Sequence, residues 1–407
     1  MPSTQEESNR LTTYTYLSNL SPVGEYLPKG KRLTYYAKIP IGTQLKIAVG
    51  TPDFTLSDGS GSKVPRMYDG KSGNNTLTDP FGGLIYIAFI GNSNASGEFA
   101  AMEGTESIPS PVFVHYMKGA TVRYREDLAK YTESPYVEFV SRHAILTVRR
   151  EDALRHKDDD PFELMNAYEE IIDVEDRYLG LEGSGIHRVG PLRHHFVASG
   201  NQAGIGYAYT STDDYPGWMA FHSDFTDDLL TSAGVRNSWG IWHELGHQHQ
   251  ENPLFSLMTE GVGDAEVTVN LFAGAVQRHF KKPSRLLESG SSGNDIWKEA
   301  LDKRAAGNVG AKSMSPWHKL AALEQLRLAY GDNFWVNVHR MIRAENINSR
   351  DSATYLALMT SRQAGCDLRA FFRGWGFDIS ATADTEIVKL GFPECPSKIA
   401  AMREPAA

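Results

Sequence analysis

A continuous run of about 18–20 apolar residues, which a helix needs to cross a bilayer, occurs nowhere in this 407-residue chain. That absence excludes a membrane-spanning helix. Cysteine is nearly missing: Cys366 and Cys395 are the only two. Two are too few for a disulfide scaffold or a cysteine-based zinc site, and their spacing fits no close ligand pair. One disulfide pinning the C-terminal segment and two free buried thiols both remain compatible with the sequence. The first ten residues, MPSTQEESNR, lack the charged-then-apolar pattern of a secretory leader. Three situations fit that pattern: an intracellular protein, export by another route, or a trimmed mature chain. An excess of positive charge is also absent. Lys and Arg number 41 against 50 Asp and Glu, a formal net charge of −9, so no general affinity for nucleic acid or anionic membrane is expected. Internal repeats and low-complexity tracts are missing too. What is present is 41% hydrophobic, 11% aromatic and 22% charged residues, the profile of a soluble globular protein with a sizeable core. The length favours two or three domains.

The first 115 or so residues read as β-structure. Arg32–Lys38, Gln44–Val49 and Gly83–Ile90 are short and rich in β-branched and aromatic residues, with turn clusters such as SDGSGS and GKSGNN between them. Regular short strands with such turns predict a β-sandwich, jelly-roll-like, over residues 1–117. From about Met117 the pattern changes. Strands are expected at His143–Arg150, His195–Ala198 and Ile205–Thr210. Between them, Asp160 to about Gly180 places Phe162, Met165, Ala167, Ile171, Ile172 and Tyr178 roughly at helical spacing, with Asp158–Asp160 as caps before Pro161. Beyond Glu266 the chain reads as helical at Val267–Phe280, Pro316–Tyr330, Asp332–Ala344 and Ala353–Arg362, with Lys281–Ser315 as a loop or hinge. The fold class expected is multi-domain α+β. A β-sandwich is followed by an α+β catalytic domain over 118–300 and a helical C-terminal lobe over 301–407.

Chemistry concentrates in NSWGIWHELGHQHQEN, Asn237–Asn252, which contains His-Glu-x-x-His as His243, Glu244 and His247. Four residues on a helix return to nearly the same face, so both imidazoles can reach one ion at about 2.0–2.1 Å. Glu244 lies one position round, where a carboxylate can take a proton from water that a zinc ion has acidified. Asn237 or Ser238 can cap the helix start, and Pro253 forces an end. The extended HExxHxxGxxH pattern fails, because Gln250 and Pro253 stand where Gly and His are required. His249, two positions past His247, points about 160° away on a helix and is a poor ligand. Among the acidic candidates, Glu251 is four residues past His247 on the same helix, and Glu260, Asp264 and Glu266 lie downstream. Glu266 is preferred, because it opens the apolar helical run EVTVNLFAGAVQ and would complete a His₂Glu zinc set with one open position. Asn270, four residues on, falls on the same face and could hydrogen-bond the distal nitrogen of a ligand histidine.

WGIWHELGHQHQ followed by EVTVN resembles the M60 family of zinc metallopeptidases, the enhancin-like or mucinase-like group of the gluzincin clan. Gly246 and Gln250 match extra positions of its HExGHxxQ motif. VEFVSRHAILTV, DLRAFFRGWGFDIS and the N-terminal GEYLPKG and LKIAVGT also resemble segments of that family. The resemblance implies that His243, His247 and Glu266 are zinc (Zn2+) ligands and Glu244 the general base. It further implies a gluzincin-like catalytic domain and cleavage of mucin-type O-glycosylated glycoproteins by a secreted, extracellular enzyme. A monomer is expected. Under this reading Cys366 and Cys395 become one C-terminal staple.

Other residues are weaker candidates. Trp239 lies one turn before His243 and could stack on a sugar or position substrate, whereas Trp242 reads as core. Tyr207, Tyr209, Tyr215 and His222 could supply a donor to a developing oxyanion, although a loop this aromatic mostly packs. Two other functions are compatible with the ligands: a glycoprotein-binding module or adhesin, and a zinc hydrolase of non-peptide bonds. A general base is superfluous in the first, and the family resemblance disfavours the second.

Overall fold

The computed structural model describes residues 1–15, 17–54, 58–91, 96–199, 206–209, 216–257, 265–310 and 313–405. Within them the N-terminal strands are β1 (Ser21–Leu27), β2 (Arg32–Lys38), β3 (Thr43–Val49), β4 (Arg66–Asp69), β5 (Gly73–Thr78), β6 (Gly83–Gly91), β7 (Glu98–Ala101), β8 (Ile108–Pro109) and β9 (Val112–Val114). A five-stranded sheet has the order β4-β3-β6-β1-β8, and a three-stranded sheet the order β5-β2-β7. The alternation in β2 shows how sequence builds this part. Leu33, Tyr35 and Ala37 point inward while their neighbours face outward. They share one core with Leu27, Leu45, Ile47, Val49 and Ile85 from the other sheet.

The sheet that matters for chemistry is six-stranded. Its further members are β10 (Tyr136–Val140), β11 (Ala144–Arg149), β12 (His194–Val197), β13 (Gly206–Tyr209) and β14 (Trp218–Phe221), in the order β13-β14-β12-β11-β10-β9. Parallel pairing joins β11 to β12 and β12 to β14, whereas β13 runs antiparallel to β14 and forms one edge. Central β11 is buried from Ala144 to Val148, consistent with an apolar run covered on both faces. The helix Pro161–Tyr178 starts where Asp160 accepts from Phe162 N (2.9 Å) and Pro161 takes the first turn. Leu164, Met165, Ala167, Tyr168, Ile171 and Ile172 form its buried face. Phe162, expected inward, is 43% exposed and stacks on His115 at 4.3 Å instead, because it sits on the first turn, off the buried face.

By their contacts the residues divide into two compact units. One comprises 1–8, 15–172 and 190–244, and the other 9–14, 173–189 and 245–407. In the second unit the helices Ala265–His279, Pro316–Tyr330, Phe334–Ala344 and Ser352–Ala364 lie at or within a few residues of their predicted positions. The expected hinge Lys281–Ser315 contains a helix, Ile296–Ala305. Its turn-rich lead-in, SGSSGND, hides a good start: Asp295 caps it by accepting from Lys298 N, and Trp297 and Ala300 are buried. Among the described residues no helix is long and apolar enough to cross a membrane.

Cys366 and Cys395 form a disulfide closing a 29-residue separation, with the Tyr330 hydroxyl 3.1 Å from the Cys366 sulfur. Closing a loop of that length removes unfolded-state entropy worth about 3–4 kcal/mol. Urea unfolding of Cys366→Ser is therefore expected to show a loss of that order at most, together with earlier proteolysis of the segment after Leu390. Equal stability of the reduced and oxidised proteins would contradict a stapling role.

Candidate metal centre

The motif helix runs Trp239–His247, beginning directly after Ser238. Ile241, Trp242, Leu245 and Gly246 are buried, whereas Trp239, His243 and His247, one turn apart, are only partly so. The helix thus turns one accessible stripe away from its packed faces. Trp242 is core, its indole N–H donating to Val235 O at 2.8 Å. Trp239 has its ring 6.2 Å from that of Trp242.

After His247 the helix stops, its last turn tightened by Gln248 N to Leu245 O and His249 N to Gly246 O bonds, both 2.9 Å. This ending corrects two expectations. Glu251 does not continue the helix: it pairs with Thr13 in an isolated bridge and is buried against His339 Nδ1 at 2.8 Å. His249 is buried as well, between Glu175 (3.1 Å) and Asp176 (3.2 Å). Burial alone would push its pKa down, yet the two carboxylates prevail and hold it raised, to about 10.

Glu266 enters on the first turn of the helix Ala265–His279. Gly246 is what lets this helix come close. A Cβ at Gly246 would lie 2.9 Å from Val269 O and 3.0 Å from Val269 Cγ2. His247 Nε2 consequently lies 3.6 Å from Glu266 Oε1. His243, His247 and Glu266 each offer one ligand atom, and these atoms lie within 4.8 Å of one another. Glu260, Asp264 and Tyr215 lie outside the described residues.

Gln250 sets the protonation of this group, and sequence reasoning had noted it only as a motif match. Its Nε2 donates to Ala265 O (2.7 Å) and Thr268 Oγ1 (2.8 Å), and Thr268 passes its own proton to Leu254 O (2.9 Å). A carbonyl can only accept, so the amide orientation is determined and Oε1 faces His247 Nδ1 at 2.6 Å. That nitrogen must therefore carry a proton, which leaves the Nε2 lone pair directed at the carboxylate in the neutral ring. Two electron-pair donors facing each other at 3.6 Å suit a cation between them. Zinc bonds of about 2.0–2.2 Å at tetrahedral angles place such donors roughly 3.3–3.6 Å apart. The residues present fit the ion. Asn270, expected to support a histidine, donates to the Glu266 backbone carbonyl at 2.6 Å. The distal nitrogen of His247 is taken by Gln250.

Glu244 is 6% exposed, and a Cβ on Gly206 of edge strand β13 would lie 3.2 Å from its Cγ. Glu244 therefore packs close against the bare backbone of Gly206. Tyr207 is engaged elsewhere: its hydroxyl donates to Asp53, and Lys63 Nζ lies 4.0 Å over its ring. Tyr209 stacks on Trp218 at 4.0 Å. His222 accepts from Asp224 N at 3.3 Å, capping the short turn that follows.

A motif helix presenting two histidines and an intervening glutamate, with a further acidic residue on the helix Ala265–His279, forms a group that could hold a metal ion, as in a metallopeptidase. The chain belongs to the family described as Peptidase M60, enhancin and enhancin-like, whose model matches residues 106–376. A second model, the N-terminal domain of M60-like peptidases, matches residues 2–101. Among curated proteins, TRPM8 channel-associated factor 3 of Rattus norvegicus is 20% identical over 384 residues, covering 90% of this chain and 39% of that protein. The chain thus spans about two fifths of that relative's length. A conserved Bacillus anthracis str. Ames protein of unknown function has a solved structure 26% identical to this chain, with TM-score 0.83, covering 99% of this chain and 80% of that one. The M60 catalytic domain of Clostridium perfringens ZmpC, solved in complex with the sialyl T antigen, shares the fold. It has TM-score 0.74 at 18% identity, covering 98% of this chain and 80% of that one.

Gly246→Ala is expected to push the motif helix and the helix Ala265–His279 apart and, if His243, His247 and Glu266 hold zinc, to weaken its retention by roughly 10-fold or more, by analogy with other losses of metal-site support. Dialysis against a graded chelator series reads this directly. Wild-type retention in that variant would show that helix spacing does not govern the site.

Proposed function

We propose that this chain is a zinc-dependent endopeptidase that cleaves O-glycosylated, mucin-like proteins outside the cell. The observation that carries the reading is the convergence of His243, His247 and Glu266 with Glu244 on the adjoining position of the same helix. His243, His247 and Glu266 would hold the ion. When bound, zinc supplies Lewis acidity and lowers the pKa of water towards 7.

The remaining steps belong to the protein. Glu244 takes a proton from the attacking water as the new C–O bond forms at the scissile carbonyl carbon. It then delivers that proton to the departing amine nitrogen as the C–N bond breaks. Its near-complete burial restricts competing hydration of the carboxylate. Strand β13, at a sheet edge beside Glu244, offers a place for an extended peptide to lie. Trp239, one turn before His243 and partly exposed, is positioned to contact substrate on the same stripe.

Glycoprotein as the substrate class is supported by the sialyl T antigen complex of the Clostridium perfringens relative. The disulfide supports an oxidising, extracytoplasmic setting. Two sheets sharing one core within the first 109 residues support a β-sandwich ahead of the catalytic part, and the helices beyond 301 a helical lobe. The enzyme acts as a monomer in this reading.

Glu244→Gln is expected to retain zinc while losing proteolysis by several orders of magnitude, measured on an O-glycosylated mucin. Full activity in that variant would sink the mechanism. Digesting the mucin and its deglycosylated form, each with and without chelator, addresses the substrate. Chelator-sensitive cleavage of the glycosylated form alone is the expected result, and cleavage of neither form would contradict the reading.

A further inference from the structure

The N-terminal segment Asn9–Tyr14 belongs by its contacts to the second unit, whereas the residues on either side of it in sequence belong to the first. It runs alongside the turn that leaves the motif helix, 239 residues away. Tyr14 N donates to Gln250 O (2.9 Å), and Asn252 N donates to Thr12 O (2.7 Å). Thr13 and Glu251 form the bridge between these two bonds, and Asn252 Nδ2 reaches Thr13 O at 3.1 Å. Two extended pieces of chain are therefore locked in register on both sides of Glu251.

Side chains reinforce the lock. Thr12 Oγ1 is 3.1 Å from Glu251 Oε1, and Glu251 Oε2 is 2.8 Å from His339 Nδ1, with Arg343 Nη1 at 3.8 Å from the same carboxylate. Tyr14 stacks on Phe255 at 3.7 Å, under the Arg350 guanidinium at 4.2 Å. Thr12 itself is fully buried with φ 60°. A β-branched residue in that left-handed region is strained, and it persists only where surrounding contacts over-determine it.

The held turn carries Gln250, and Gln250 touches both ligand-bearing elements. It accepts from His247 Nδ1 and donates to Ala265 O, the residue before Glu266, and to Thr268. We infer that Thr12–Tyr14 is a strap that positions the metal centre through Gln250. The strap fixes the turn, and Gln250 fixes the ring orientation of His247 and its spacing from Glu266. Gln250 and the strap residues are positioning residues; none touches the reacting atoms. The inference rests on the zinc reading above.

The test measures the zinc dissociation constant by chelator competition, well below the melting temperature, alongside the melting temperature of the metal-free protein. Gln250→Ala is expected to weaken zinc binding roughly 10–100-fold, the range for loss of a ligand's hydrogen-bond partner. Gln250→Glu keeps an acceptor for His247 and is expected to recover part of that loss. Thr12→Ala and Tyr14→Ala, both remote from the ion, are expected to weaken zinc severalfold. Arg10→Ala removes a bond from the same segment to Ile186 O, away from Gln250, and is expected to leave zinc affinity unchanged. Strap variants that melt earlier yet bind zinc like wild type would overturn the inference by showing a purely structural role. So would a Gln250→Ala protein with unaltered affinity. Failure of the wild-type chain to bind zinc at all would overturn the zinc reading along with it, whereas normal wild-type binding with unaltered variants would overturn the strap alone.

Discussion

Close approach of the motif helix to the helix Ala265–His279 is the constraint from which the site follows. Gly246 permits it by leaving room for the Val269 carbonyl, and Gln250 binds across the gap to Ala265 and Thr268. Because one end of the Gln250 amide is committed to donating, its other end must accept from His247. A single side chain thereby defines a distance, a ring orientation and a protonation state. The remaining metal-facing geometry is helical arithmetic: His243 and His247 are four residues apart on one helix.

Legibility of the fold followed burial. Strand β2 coincides with the segment expected from alternation, because one face is core and the other solvent. The helix Pro316–Tyr330 also matches its expected span, since Pro316 and the Ser315 cap mark its start and Gly331 its end. Ile296–Ala305 was hidden by the glycine and serine content just ahead of it. Its burial depends on tertiary partners for Trp297 and Ala300 that local composition does not report. The division into two units by contact lies beyond local sequence for a related reason. It assigns short N-terminal and mid-chain segments to the C-terminal half, and only long-range contacts reveal that.

At the site, spacing exposed His243, Glu244 and His247 because a helix repeats at nearly that interval. Glu266 is legible as the downstream carboxylate that opens an apolar helical run. The role expected of Asn270 falls to Gln250 for His247, since the motif helix ends at His247 and the following turn folds Gln250 back under the ring. No periodicity encodes a turn of that kind. The aromatic candidates Tyr207 and Tyr209 were chosen for their chemistry alone. Their contacts with Asp53 and Trp218 are tertiary and could not be read from the local sequence.

Zinc coordination by two imidazoles and one carboxylate is the central claim, and X-ray absorption of the zinc-loaded chain tests it most directly. The account predicts close to one zinc per chain. It also predicts two imidazole nitrogens at about 2.0–2.1 Å with the other ligands oxygen at about 2.0–2.2 Å. A spectrum lacking imidazole scattering, or a chain that retains far less than one zinc after gel filtration, would contradict it.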